Sequence, residues 1–465
     1  MQSDAAASAA VDEAIYGFSD GLKALRARLR RFIDDEAIPR ERPALAHDLP
    51  ALDAVARELR EMAKAAGLYA PQLPVEWGGL GLSWRDRSAI LEEAGRSFLG
   101  PLALNCAPPD QPNMINLLRN GSAQQQQRYL APLARGELRS CFAMTEPAPG
   151  AGSDPAMLQT TATRLPQGGW VINGRKWFIS GAVGAGFALV LARTDQGATV
   201  FIVDADNPGY RVLRNIGSMD GYQIGGHGEL AFEDCRVSDD AVLGEVGKGF
   251  AYAQERLEPA RLSHCMRFIG RASRAMAIAQ DYVLARQSFG KPLAELQQVQ
   301  AMVADSHIDL HAARLMTWQA AARLDAGASV KHESAITKVF VSEAVSRVAD
   351  RAAQLMGALG MSDDTPVAFW AEGLEAAGVP CGAINSIAQA FADPQIQARG
   401  MRVDLPHPTA GSVPLVASPI KMSDTPPRFE RPPPLLGQHT DEILRDELGL
   451  DAARIAALRE ARVVA

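Results

Sequence analysis

Five cysteines in 465 residues, Cys106, Cys141, Cys235, Cys265 and Cys381, are too scattered and odd in number for a disulfide framework. No two stand in a CxxC spacing, so a structural zinc site is not expected either. No run approaches the ~20 consecutive apolar residues of a membrane helix. An excess of basic charge is also lacking: the formal net charge is −7, whereas a nucleic-acid partner calls for a basic face. Alanines fill much of 5–10, but Asp4, Asp12 and Glu13 flank them and no apolar core follows, so no signal or transit peptide is expected. These absences predict a cytoplasmic protein in a reducing compartment, with no nucleic acid, no metal and no membrane span.

What is present is a chain of ordinary hydrophobic content, 47%, long enough for more than one domain. From 1 to 137 the apolar period is helical. Leu22, Leu25, Leu29, Phe32 and Ile33 make one stripe, with Lys23, Arg26, Arg28, Arg30 and Arg31 read as a solvated basic face. Further helices are expected over 52–66, after a cap at Ser83, and over 113–118 and 124–133. From 138 to 247 the period falls toward 2, with strands expected at 141–144, 170–172, 177–179, 187–192, 200–203 and 229–232. Asn173-Gly174 carries the hairpin signature between two of them. This predicts an antiparallel β-domain.

The helical period returns over 248–367, as a bundle interrupted by Arg286-Gln287-Ser288-Phe289-Gly290-Lys291-Pro292. His307 and His311 stand one turn apart, as two metal ligands would, but no third ligand is apparent and a solvated face is expected. From 368 to 465 short strands, prolines and two helices make a mixed α/β tail. The fold class is therefore α+β and multidomain.

At the first junction lies Ser140-Cys141-Phe142-Ala143-Met144-Thr145-Glu146-Pro147, running on to Gly152-Ser153-Asp154. It starts as a strand, and its prolines and glycines end the ladder and free the backbone for close approach to a ligand. Taken alone, it is better read as an ordinary polar turn. In context, Met144-Thr145-Glu146-Pro147 with Gly152-Ser153-Asp154 resembles the flavin loop of the acyl-CoA dehydrogenases, and the resemblance covers about 16–367. Asn105-Cys106-Ala107-Pro108-Pro109-Asp110 and Arg261-Leu262-Ser263-His264-Cys265-Met266-Arg267 are most similar to the subgroup acting on long-chain and hydroxylated acyl-CoAs.

The resemblance implies helical, β-barrel-like and helical domains, FAD as cofactor, an acyl-CoA substrate and an electron-transfer flavoprotein as acceptor. It also implies a homo-oligomer, dimer or tetramer. It places Phe142, Met144 and Thr145 along the flavin pyrimidine, Ser153 near the pyrophosphate or CoA, Phe178 on the isoalloxazine and Ser180 near N5 and O4. Arg286, Ser288, Phe289 and Gln297 match the adenine-half loop, and Gln354, Met356, Gly357 and Ala358 its partner segment. Glu258 and Arg261 match positions beside CoA and the thioester. Without the family, Phe178 reads as strand core and Arg286 as a surface cation.

The catalytic carboxylate is where the match departs. The expected position falls near Cys381, and the other position used in the family, before Arg261, is Ala260. Glu258, Glu372 and Glu375 are weak surrogates. Gly378-Val379-Pro380-Cys381-Gly382, Phe391-Ala392-Asp393-Pro394 and Gly437-Gln438-His439-Thr440-Asp441 instead resemble the C-terminal part of a class III CoA-transferase, over about 369–465. That resemblance implies a fusion or splice and a bundle short of its last helices. Three functions follow: an impaired acyl-CoA dehydrogenase, a non-catalytic flavin or acyl-CoA binding protein, and a CoA-transferase, for which no catalytic Asp is found.

Overall fold

A computed structural model describes residues 17–42, 48–217, 223–362, 364–367, 397, 402–417, 428–429 and 431–464. The chain divides into two compact units, Met1–Pro380 and Cys381–Ala465, taken in turn.

The first unit opens with α1, Asp20–Phe32, capped by the Ser19 hydroxyl, and α2, Leu49–Ala65, capped by Asp48. The Ser83 hydroxyl starts α3, Trp84–Gly95, accepting from the Asp86 N–H at 3.0 Å. Then comes α4, Asp110–Asn120. The basic face of α1 is not simply solvated. Arg26 and Arg30 reach Glu93 at 2.9 Å each, and that carboxylate is buried on α3. A buried carboxylate demands such partners, and periodicity within α1 cannot reveal one that lies 67 residues away.

Seven strands follow: β1 Ser140–Ala143, β2 Thr161–Arg164, β3 Trp170–Ser180, β4 Phe187–Thr194, β5 Gly197–Asp204, β6 Tyr210–Asn215 and β7 His227–Val237. The sheet order is β1-β4-β2-β3-β7-β6, with β5 also on β4. The expected all-antiparallel pairing needs correction, since β1 and β2 each pair with β4 in parallel. The barrel-like form is not confirmed: among the described residues no ladder joins β6 to β1 or β5. Strand β4 explains the layering. Phe187, Leu189 and Leu191 pack with Tyr69, Met114 and Leu130 of the helical block, while Ala188 and Val190 pack with Trp170, Ile172 and Phe232 on the other side. A strand covered on both faces reads as a continuous apolar run, which 187–192 is.

The hairpin expected at Asn173-Gly174 is also corrected. Both residues lie inside one unbroken strand, β3, at a register shift between Ile172 and Gly174 against β7. Gly174 has φ 154, and a Cβ there would meet Thr160 Cα at 2.7 Å. Glycine serves a bulge and a close backbone approach at this point instead of a turn. Strands β2 and β6 were not anticipated. Ala162 is the one buried residue of β2, and β6 is exposed after Tyr210, so neither carries an alternating apolar signal.

Three long helices close the unit: α5 Gly249–Ala285, α6 Gln297–Asp325 and α7 Lys331–Met356. Helix α5 crosses α3 at two glycines. A Cβ on Gly95 would fall 2.0 Å from the Arg267 carbonyl oxygen, and one on Gly270 would fall 1.9 Å from that of Glu92. The backbones touch where side chains would normally stand, and one hydrophobic core runs from Leu29 and Leu59 through Ile269 to Val345. Among the described residues no helix is long and apolar enough to span a membrane, and no group of three or more His, Cys, Asp or Glu could hold a metal ion. His307 and His311 are both exposed, with His307 Nε2 2.9 Å from Gln280.

The described part of the second unit holds a hairpin of β8, Arg402–His407, and β9, Gly411–Val416. Two single helical turns over Thr440–Glu442 and Ile443–Glu447 precede α8, Ala452–Glu460, capped by Asp451.

Candidate functional site

The stretch from Ser140 to Asp154 is anchored at both ends. Asp110 Oδ1, at the start of α4, accepts from both the Ser140 N–H and its hydroxyl at 2.7 Å. Burial raises the Asp110 carboxyl above its ordinary value, and the bonds from Ser140 only partly oppose this. Asn113 Nδ2 donates to Ser140 Oγ at 2.9 Å, and its Oδ1 accepts from Arg256 Nε at 2.8 Å. The Arg256 guanidinium then lies 4.2 Å from the centre of the Phe142 ring.

Further on, the strand becomes a closed loop. Glu146 is buried and accepts from Lys176 Nζ at 2.9 Å and from the N–H groups of Ala151, Gln159 and Thr160 at 3.1, 2.7 and 2.9 Å. Lys176 also donates to the Met144 carbonyl at 3.0 Å. The carboxylate thus ties both arms of the loop together and leaves Ser153 exposed at its tip. A plain polar turn has no such internal strut. The polar-turn reading is set aside on this geometry.

Thr145 and Trp177 are joined twice, the Trp177 N–H donating to the Thr145 carbonyl at 3.1 Å and the Thr145 hydroxyl to the Trp177 carbonyl at 2.6 Å. The next residue, Phe178, is not strand core. It has φ 52 and is 49% exposed, at a second register shift between Lys176 and Ile179. Lys176 and Ile179 both point inward, so the two aromatic residues between them are forced out of the ladder, with ring centres 4.9 Å apart. A bulky residue with positive φ marks strain that the surroundings must hold in place. Ser180 Oγ lies 3.0 Å from His227 Nδ1. The structure therefore joins Thr145, just after β1, to Trp177 beside Phe178 on β3, while Phe142 and Met144 pack toward the helical block. A half-exposed aromatic face, bordered by a hydroxyl and strand-end backbone, suits a flat ring system with polar edges.

The second set lies elsewhere on the unit. Arg286 and Phe289 are exposed in the link from α5 to α6, Phe289 at 89% with φ 52, and Ser288 is partly buried there. Gln297 is exposed at the start of α6. Gln354, Gly357 and Ala358 are exposed at the end of α7, whereas Met356 is 3% exposed and packs in the helical core, so its side chain is not presented to a ligand. Glu258 and Arg261 are partly buried on α5, and the Glu258 carbonyl accepts from the Ser334 hydroxyl at 3.3 Å. Glu372, Glu375 and Cys381 lie outside the described residues.

Two participants were not anticipated in these roles: Trp177 and the Glu146–Lys176 pair. For Lys176 a signal exists. Trp170, Ile172, Gly174 and Lys176 alternate along β3, so the lysine occupies an inward position and requires a buried counter-charge. Arg256-Leu257 is part of the resemblance to the same subgroup, but the partners of Arg256, Asn113 and Phe142, are distant in sequence and gave no local signal.

Models of the N-terminal, middle and C-terminal domains of acyl-CoA dehydrogenases match residues 19–137, 141–235 and 247–393. The chain is 36% identical over 388 residues to mouse acyl-CoA dehydrogenase family member 10, covering 78% of this chain and 36% of that one. It is 34% identical over 376 residues to (R)-benzylsuccinyl-CoA dehydrogenase of Thauera aromatica, covering 76% and 90%. A solved acyl-CoA dehydrogenase from Geobacillus kaustophilus, 27% identical, superposes with a TM-score of 0.67 over 77% of this chain and 93% of that one. The chain spans only 36% and 41% of the length of the first two curated relatives. The C-terminal model runs on to residue 393, so 369–393 fall inside a dehydrogenase match and not a transferase one. Over 394–465 the transferase resemblance rests on its motifs alone.

Proposed function

This chain belongs to the acyl-CoA dehydrogenase family, a family of FAD-dependent oxidoreductases, and on that premise we propose that it oxidises a fatty acyl-CoA to the trans-2-enoyl thioester. The observation that carries the reading is the strained, outward Phe178 beside the doubly bonded Thr145–Trp177 joint. There the backbone of 142–145 and the Ser180 hydroxyl would border the isoalloxazine, with Phe178 against its face. Ser153 at the loop tip would meet the pyrophosphate or CoA. Arg286, Ser288, Phe289 and Gln297 would hold the adenine half, with Gln354, Gly357 and Ala358 of a second copy. Arg286 is suited to phosphate because its planar fork donates two parallel hydrogen bonds.

FAD, when bound, accepts a hydride from the β-carbon and passes the electrons to an electron-transfer flavoprotein or similar acceptor. The protein's own task is to remove the α-proton. Hydrogen bonds to the thioester carbonyl make that proton acidic enough, and a carboxylate must stand within reach to take it. Glu258, Glu372 and Glu375 are the candidates. Glu258 lies two residues from Ala260, about 200° around the helix from the position that would face the thioester, and turnover is therefore expected to be slow. The division at 137, 247 and 367, the homo-oligomer and a cytoplasmic location belong to the same proposal.

Anaerobic titration of the FAD-loaded protein with acyl-CoA tests this reading. Bleaching of the flavin with enoyl-CoA formation supports it, and single Gln substitutions at Glu258, Glu372 and Glu375 then identify the base. A fully loaded protein that binds thioesters and is bleached by none would leave a non-catalytic binding protein.

A further inference from the structure

Where the ends of β5 and β7 meet the helical turns Ala123–Gln125 and Gln126–Leu130, the first unit holds a cavity of about 180 Å³. That is room for about six water molecules at the ~30 Å³ each takes in the liquid. It is smaller than the ~300–1,000 Å³ of pockets that take drug-sized ligands, so nothing as large as FAD or CoA fits. None of the residues assigned above to the flavin, the adenine half or the thioester lines it. Its walls are fixed by side chains bonded to backbone. Buried Gln125 Nε2 donates to the carbonyls of Asp240 and Val242 at 2.8 and 2.9 Å. Asn207 Nδ2 donates to the Arg236 carbonyl at 2.8 Å, and its Oδ1 accepts from the Gly209 N–H at 2.9 Å. The backbone that carries Arg236, Ser238 and Asp240 is thereby held against the helical turns.

The charges around this cavity are not all answered. Arg128 and Asp204 both line it and satisfy each other at 2.7 Å. Other exposed arginines of the same sheet are paired too, Arg164 with Asp239 at 3.3 Å and Arg214 with Glu229 at 2.7 Å. Arg236 and Asp240 differ. Both are exposed and line the cavity, and among the described residues neither side chain makes an ion pair or hydrogen bond, with the other or with any third group. The side chains of Gln124 and Ser238, which also line it, are equally unbonded. A simple anion held by Arg236 would meet the Asp240 carboxylate in the same small space, and a simple cation held by Asp240 would meet the guanidinium. A ligand carrying both signs answers both charges at once.

We propose that this cavity is a binding site for a small zwitterion, a free amino acid, with Arg236 receiving its carboxylate and Asp240 its ammonium group. Gln124 and Ser238 remain for polar atoms of the ligand side chain. The planar fork of Arg236 suits a carboxylate, to which it donates two parallel hydrogen bonds. The site stands apart from the acyl-CoA reading and does not depend on it. A bound amino acid would tie the turns of 123–130, in the helical block, to the end of β7, in the sheet, and so stabilise the folded junction by mass action.

The test is calorimetric titration of the purified FAD-loaded full chain at fixed ionic strength. The probes are glycine, L-alanine, L-glutamine and 4-aminobutyrate, each beside the carboxylate and the amine that lack one of its two charges. At least one amino acid is expected to bind about tenfold or more tighter than both of its single-charge analogues, and to raise the melting temperature where they do not. Arg236→Gln and Asp240→Asn are each expected to weaken that binding about tenfold or more. Neither should lower the melting temperature of the ligand-free protein, because neither side chain has a protein partner to lose. Amino acids that bind no tighter than their single-charge analogues overturn the inference, and so does binding that both variants leave unchanged. Should a variant not fold, the wild-type comparison still decides. None of these outcomes bears on flavin bleaching by acyl-CoA, which tests the other reading separately.

Discussion

Lys176 Nζ stands 2.9 Å from Glu146 Oε1, and both side chains are removed from solvent, at 0% and 2% exposure. Burial pushes Glu146 up, but Lys176 and the bonds from Thr160 and Gln159 outweigh it and bring the carboxyl down to about 2. Burial likewise lowers Lys176, to about 8, against the pull of Glu146. At neutral pH the pair is charged, and it joins the loop of 147–159 to β3 at the point where Phe178 is forced outward.

Removing one partner leaves the other charge buried alone. Lys176→Met is expected to destabilise the protein by about 3–5 kcal/mol in denaturant unfolding. Any folded fraction should lose FAD affinity, because the loop and Phe178 lose their common support. A variant with wild-type stability and FAD content would show that the pair does not hold the loop.

The same pair predicts acid sensitivity. The folded carboxyl of Glu146 lies below its ordinary value of 4.5, so its stabilisation is complete above that pH and fades as the pH falls toward about 2. The stability difference between wild type and Glu146→Gln, on the order of 1–3 kcal/mol at neutral pH, should shrink across that window in urea titrations at stepped pH. A difference that stays constant from neutral pH to pH ~3 would contradict the assignment.

Phe178 separates binding from stability. Half exposed, it contributes little to the core, and Phe178→Ala should change apo-protein stability by about 0.5 kcal/mol or less. Its FAD dissociation constant should rise about tenfold or more, through loss of the aromatic contact. Fluorescence titration of the apo-protein with FAD measures this. A large fall in melting temperature with unchanged FAD affinity would return Phe178 to a packing role.

At the α3–α5 crossing, Gly270→Ala places a methyl 1.9 Å from the Glu92 carbonyl oxygen, which is backbone and cannot swing aside. The helices must separate, at a cost of about 1–3 kcal/mol or more, read by thermal and chemical unfolding. Gly290→Ala is a control for the steric effect, since a Cβ there meets nothing within 4 Å. Its positive φ of 77 leaves only the local backbone penalty.

Element types were determined locally and were legible. A 3.6-residue apolar period made α5, α6 and α7, and the continuous apolar run of 187–192 made β4, because burial acts on each position's spacing along the chain. The motifs that carry the family resemblance, such as Met144-Thr145-Glu146-Pro147, were legible because each is contiguous. What the sequence left undecided depends on partners brought together from afar. Asn173-Gly174 carries a turn signature, yet Thr160 pressing on Gly174 makes it a bulge within β3. Arg26 and Arg30 read as a solvated face until Glu93 arrives beneath them. Phe178 reads as alternating strand core, and only the inward demand of Lys176 for Glu146 turns it out of the ladder. Arg267 belongs to a family motif in one dimension, and only in three is it a buried charge held by the Cys106 carbonyl. Periodicity reports how much of a residue is buried, whereas what it is buried against is a property of the tertiary structure alone.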